Sequence, residues 1–315
     1  MKQFLICLFL FSSAYAFHDS ALEAVWASIQ DINNPTLEEY RRLEYYLHHQ
    51  RDFLNIPRTP AHEVRLSQMR NFMLVGPNGE MPVIEHYSFH ITPESERRCI
   101  LLFASRNGIY EEKARLLLAE LEESGYSGHV LLRVGGFPNT QNGGLKICHA
   151  PYSFKVAFLQ EARTLGYRDV LWMDSAIHPL TNLEMIFSEV RKNGHFFISV
   201  GSLQENAPGH RPEAAATMNV PVGLYPLIPH ISSSLLGFDL ENERSVRLLE
   251  AWYQETGRVY SSISWFPEEL SLSVMAWRTR AKPSFPFHTI VCLEEELDWV
   301  PKERPMLQGY LDSRR

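Results

Sequence analysis

The sequence predicts an α/β fold: a doubly wound sheet with helices on both faces, preceded by a helical N-terminal region. Three observations predict it. Short continuous apolar runs, at residues 99–104 and 170–173, read as strands buried on both faces. Segments with helical spacing lie between the runs, such as 111–123 with Ala114, Leu117, Leu118 and Leu121 on one stripe. The two kinds alternate from residue 98 onward, the order that gives parallel neighbours joined by right-handed crossovers. With 315 residues, 45% of them hydrophobic, the chain can fill one large core and carry a smaller appendage.

Residues 1–16 read as a secretory signal. Lys2 supplies the positive charge, residues 4–11 the short apolar stretch, and Ala14-Tyr15-Ala16 the small-x-small cleavage site, so an exported mature chain is expected to begin near Phe17. The apolar run is far short of the ~20 residues needed to span a bilayer, and no other segment is long and apolar enough. Residues 17–95 read as helical. Residues 20–32 carry Leu22, Val25, Trp26 and Ile29 at helical spacing. A second helix opens with Thr36 as N-cap and Glu39 three positions on, and a third runs from Thr59-Pro60 toward Met73. Gly76-Pro77-Asn78-Gly79 then breaks the pattern.

Residues 96–315 form the expected α/β domain. Strands are expected at 99–104, 129–134, 169–173, 196–200 and 231–239. Helices are expected at 111–123, 152–165, 180–192, 242–256 and 267–277, with a last strand-like segment at 289–293. Residues 201–227, rich in Pro, Gly, Asn and Ala, read as a long loop.

The net charge of −7 with no basic face argues against a nucleic-acid partner. Cys7 leaves with the signal. Cys99, Cys148 and Cys292 allow at most one disulfide and contain no Cys-x-x-Cys pair, so neither a disulfide scaffold nor a zinc site is expected; Cys99, opening an apolar strand, reads as a core thiol. There is no Gly-x-Ser-x-Gly elbow and no Gly-x-x-x-x-Gly-Lys phosphate loop.

The informative residue is Asp174. The apolar run of 170–173 ends abruptly in this carboxylate and the hydroxyl of Ser175. An acid at the carboxyl end of a buried strand lies where open α/β sheets build ligand sites, and there it can hold a divalent cation and through it a diphosphate. It can equally cap the following turn. Ser105, Arg106 and Asn107 follow the first strand and face the same crevice, although Arg106-Asn107-Gly108 is also an ordinary turn. Lys155 can neutralise phosphate as a point charge or sit solvated on its helix. Glu268 and Glu269 offer a general base, or else are favourable first-turn acids behind Pro267. His178, four residues past Asp174, is near enough to contribute.

Four of these places together resemble GT-A-type glycosyltransferases: residues 102–107, residues 152–155 through 174–176, residues 233–239, and residues 265–271. The resemblance covers about residues 98–293 and rests on short motifs. It implies a GT-A-like doubly wound mixed sheet. The implied activity moves a hexosyl unit from a nucleotide-diphosphate sugar, UDP-linked by prior, to a hydroxyl acceptor such as a glycan. It further implies nucleotide-sugar contacts at Ser105, Arg106, Asn107, Lys155, Asp174 and Ser175, with Mn²⁺ or Mg²⁺ on Asp174 and His288. Glu268 or Glu269 would be the base on the acceptor side, and residues 201–227 a cover that excludes water from the donor. The family pattern has a second carboxylate two residues after the first, where this chain has Ala176. Asp174 would then hold the cation with help from diphosphate and water, or the site would work without one, as in metal-independent relatives. A non-catalytic secreted glycan-binding module on the same scaffold is the alternative, and a secreted hydrolase of unrelated mechanism a third.

Overall fold

The structure, a computed structural model, describes residues 80–106, 109–138, 152–180, 182–206, 212–258, 267–284 and 291–293, together with Ala27, residues 36–39, Ile147 and Ala150. The expected signal at 1–16 and most of the expected N-terminal helices lie outside them. In chain order the elements are β1 (Val83–Phe89), β2 (Arg98–Ala104), α1 (Tyr110–Glu123), β3 (Gly128–Val134), α2 (Phe154–Thr164), β4 (Asp169–Met173), β5 (Ile177–Pro179), α3 (Glu184–Asn193), β6 (His195–Ser202), α4 (Pro212–Thr217), a 3₁₀ segment (Val222–Leu227), β7 (Pro229–Asp239), α5 (Glu243–Thr256), α6 (Pro267–Thr279) and β8 (Val291–Leu293).

Six strands form one mixed sheet in the order β1-β3-β2-β4-β7-β6. β3, β2 and β4 are parallel neighbours, while β1 and β7 run antiparallel to theirs. Every residue of β2 is buried, as a central strand covered on both faces requires. On one face α2, α5 and α6 pack over Trp172, Leu236 and Phe238. On the other, α1 and α3 pack over Ile100, Leu171 and Met173. Successive residues of β4 therefore feed opposite layers, and Trp172 and Asp174, two apart, face the same one. The α/β class and the mixed, helix-flanked sheet agree with the sequence reading. Cys99 is a buried free thiol, as its position in an apolar strand suggested.

The structure differs from expectation in three places. Residues 17–95 were expected to be helical, but Val83–Phe89 form edge strand β1, paired with β3. Glu85, Tyr87 and Phe89 alternate inward against exposed His86 and Ser88, a period of two that belongs to a strand with one wet face. Ile177–Pro179 form a short strand paired with β8. The expected loop at 201–227 contains the end of β6, α4 and the 3₁₀ segment, and Ala214, Ala215, Met218 and Tyr225 enter the core. Upstream, Thr36 and Glu39 make the expected capping box. The Thr36 backbone N–H and hydroxyl donate to Glu39 Oε2 at 2.7 and 2.8 Å, and the Glu39 N–H donates back to Thr36 Oγ1 at 3.3 Å. Among the described residues, no helix is long and apolar enough to cross a membrane.

Candidate functional site

The sheet grows from β2 outward to β3, then returns across β2 to place β4 on its other side. At such a switch point the loops after neighbouring strands diverge and leave a crevice beyond their carboxyl ends. Asp174 sits there, immediately after β4, its backbone N–H donating to Ser234 O at 2.8 Å.

Lys155 reaches the same place from the first turn of α2. Its ammonium has three N–H bonds to give. It donates to Asp174 Oδ2 (3.0 Å), Ser233 Oγ (2.8 Å) and Ser233 O (3.2 Å). Its side chain is 3% exposed, against 33% for Asp174. Two aromatic rings flank it, Tyr152 at 5.4 Å and Trp172 at 5.7 Å from the nitrogen to the ring centres. Tyr152 holds φ 60, a left-handed backbone that an aromatic residue adopts only where its surroundings compel it. Trp172 also donates its indole N–H to Asp174 Oδ1 at 2.8 Å. Both oxygens of Asp174 are thus gripped from within the protein.

Two more carboxylates close on the same serine. Residues 233–235 of β7 have no partner on β6, because the register jumps between Phe197, opposite Leu236, and Ile198, opposite Ser232. That jump leaves the Ser233 backbone N–H to Glu269 Oε1, at 2.8 Å. The Ser233 hydroxyl donates to Glu268 Oε1 at 2.9 Å. Glu268 Oε1 lies 3.6 Å from the Lys155 nitrogen, and Glu269 Oε2 pairs with His230 Nε2 at 3.0 Å. Consecutive residues on a helix diverge by about 100°, so adjacent glutamates at the start of α6 straddle β7, one toward Lys155 and one toward His230.

These surroundings separate the acids. Burial pushes the Glu268 carboxyl up to about 7, with Lys155 opposing and Glu269 adding to the rise. Its Oε2 is buried with no hydrogen-bond partner among the described residues, which also favours the protonated form. Burial works against the charge of Glu269 as well, but donation from His230 and from the Ser233 N–H holds its carboxyl below the ordinary value. Asp174 is raised, burial outweighing Lys155 and Trp172. Lys155 is raised in turn, because Asp174 and Glu268 outweigh its own desolvation. Near neutral pH the arrangement holds an ionised Glu269 beside a Glu268 poised to exchange a proton.

Of the residues singled out from sequence, the fold brings Lys155, Asp174, Glu268 and Glu269 together. Ser105 is buried at the end of β2, the strand next to β4, and Ser175 is buried in the turn after Asp174. The Arg106 guanidinium is engaged elsewhere, donating to Met81 O at 3.1 Å and facing Glu111 at 3.9 Å. His178 is buried against Glu120 of α1, at 2.8 Å, on the opposite face of the sheet from Lys155. Asn107 and His288 lie outside the described residues. Sequence reasoning missed Trp172, His230, Ser233 and the role of Tyr152. The one available signal was the period of two in β7, which turns Ser233 to the face opposite Ser232 and Ser234.

A divalent cation on Asp174 fits this donor set poorly. Ala176 brings no side-chain oxygen, each Asp174 oxygen already accepts one hydrogen bond, and an ammonium stands between Asp174 and Glu268. Among the described residues, no three His, Cys, Asp or Glu side chains group so as to hold a metal ion. No family model matches the chain, and no curated protein matches it.

Proposed function

We propose that this chain is an exported GT-A-like glycosyltransferase that moves a hexosyl unit from a nucleotide-diphosphate sugar, UDP-linked by prior, to a hydroxyl acceptor. The observation that carries the reading is the position of Asp174. It is an acid at the carboxyl end of β4, beside the switch point, partly open to solvent and held by Lys155 and Trp172. The donor lies along the ends of β2 and β4, past Ser105 and Ser175. The acceptor comes from the α6 side. Its oxygen bonds to the anomeric carbon as the bond to the diphosphate breaks, and its proton passes to a carboxylate. Glu269 suits that role, being ionised and, at 13% exposed, the more open of the adjacent pair.

Thermal unfolding of the chain from Phe17 onward, with UDP, GDP and CMP each in turn, tests the donor site. At ~100 times its dissociation constant a ligand adds ~2.7 kcal/mol, a rise of several degrees. A rise with one nucleotide that disappears in Asp174→Ala supports the reading, and no rise with any of them removes its central support. The engagement of both Asp174 oxygens favours a second reading, a glycan-binding module without turnover on the same scaffold. Stabilisation by an oligosaccharide with no response to nucleotide would select it.

A further inference from the structure

Lys155 has nowhere else to go. Residues 154–160 of α2 are all buried, so the helix cannot turn the ammonium out to water. Its three N–H bonds are spent within the site. A metal ion entering between Asp174 and Glu268 would have to push a buried positive charge into a wall of Tyr152 and Trp172. Asp174 keeps capacity on its outer side, however. Each carboxylate oxygen offers about two lone pairs. Trp172 takes one on Oδ1 and Lys155 one on Oδ2, and a third of the side chain remains exposed. Two adjacent outward acceptors on one fixed carboxylate match two neighbouring hydroxyls, the pattern that a ribose or pyranose ring presents.

We propose that Lys155 is the resident cation of this site, that Asp174 takes no divalent ion, and that Asp174 binds its ligand directly through hydroxyl groups. The identity of that ligand rests on the transferase reading; the cation assignment does not. Lys155 then acts as a positioning residue. It keeps the carboxylate aimed outward and offsets its charge, so that a phosphate-bearing ligand is not repelled.

Titration of the full chain with Mn²⁺, followed by the electron paramagnetic resonance signal of the free ion, tests the assignment without any nucleotide. The expected result is a free-ion signal undiminished by wild-type protein and reduced by Lys155→Met, in which three carboxylates have lost their cation. Stoichiometric Mn²⁺ binding by wild type that is lost in Asp174→Asn overturns the proposal. So does a folded Lys155→Met that binds no Mn²⁺, since the ammonium would then not be what keeps the ion out. If Lys155→Met does not fold, the wild-type titration still decides. UDP-sugar binding measured in EDTA separates the two proposals. Equal affinity with EDTA and with Mn²⁺, falling roughly tenfold or more in Asp174→Asn, supports both. A requirement for Mn²⁺ sinks the resident-cation proposal and leaves the transferase standing. No binding of any nucleotide sugar sinks the transferase, and the Mn²⁺ titration still judges Lys155.

Discussion

Strand β4 carries an aspartate at each end, and the two are held differently. Asp169, at its start, meets guanidinium groups: Arg168 Nε at 3.1 Å and Arg191 Nη1 at 3.6 Å. Beside it Arg98, buried under Phe187, forks onto Glu184 at 2.8 and 3.2 Å, and Arg191 reaches the same glutamate at 2.8 Å. Three arginines serve two acids there, and their planar forks suit carboxylates two bonds at a time. Asp174, past the other end, belongs to a group of three acids around one ammonium. The end where guanidinium groups outnumber the acids is a clamp between strand and helix. The end with surplus acid keeps unspent lone pairs and a proton that can move, which is what a binding or catalytic site requires and a clamp does not.

Removing a charge at each end sharpens the contrast. Lys155→Ala leaves Glu268 and its neighbours without their cation, and loss of one partner from a buried group costs about 3–5 kcal/mol. Urea unfolding near neutral pH measures it, and a loss under about 1 kcal/mol would mean that water reaches the cluster freely. The next effect depends on pH. The Glu268 carboxyl titrates at about 7 in the folded chain against 4.5 ordinarily. Between those values the folded protein keeps a proton that the unfolded chain has lost, so stability falls as pH rises, by about 3 kcal/mol from this group. Glu268→Gln removes the slope, and its stability relative to wild type is expected to rise between about pH 5 and pH 8. A parallel course for both proteins would show that Glu268 does not hold the proton. At the clamped end, Arg98→Met costs about 2 kcal/mol, less than the Lys155 change, because its partner Glu184 is 48% exposed and water can replace the guanidinium. A larger loss than for Lys155→Ala would reverse the comparison. The exposed pair Arg97–Glu241, at the same end, marks the floor: Arg97→Ala is expected to change stability by about 0.5 kcal/mol or less.

Much of the frame was legible in the sequence, because buried strands and amphipathic helices announce themselves locally. The strand 169–173 stands as read, and β2, β3, α1, α5 and α6 differ from expectation by one or two residues. Edge strand β1 escaped because its apolar residues are few and widely spaced, and it is completed only by pairing with β3. The site was half legible. Asp174, Glu268 and Glu269 stand out where an apolar run or a helix start meets an acid. Nothing local, though, says that Lys155 points inward, since a lysine on a helix has the same pattern whether it is solvated or buried. The choice is made by Ser233 and Glu268, which arrive from β7 and α6. His230 and Ser233 gain their roles from a register jump that no single-strand pattern encodes.

The Ser233 amide has a consequence for the order of folding. Its N–H is held by a carboxylate from the first turn of α6, and the N–H of Ile231, two residues earlier in β7, is held by Ser273 Oγ of the same helix at 2.8 Å, whereas flanking residues of the strand pair with β4 and β6. The sheet can form without these two bonds; neither bond can form until α6 docks. In a deuterium-exchange experiment during refolding, this amide and that of Ile231 should lag behind the rest of the strand and gain protection together with the core residues of α6. The two amides are a clock for the docking of α6, and their protection in the native state reports how often the helix lifts away and opens the acid cluster to water.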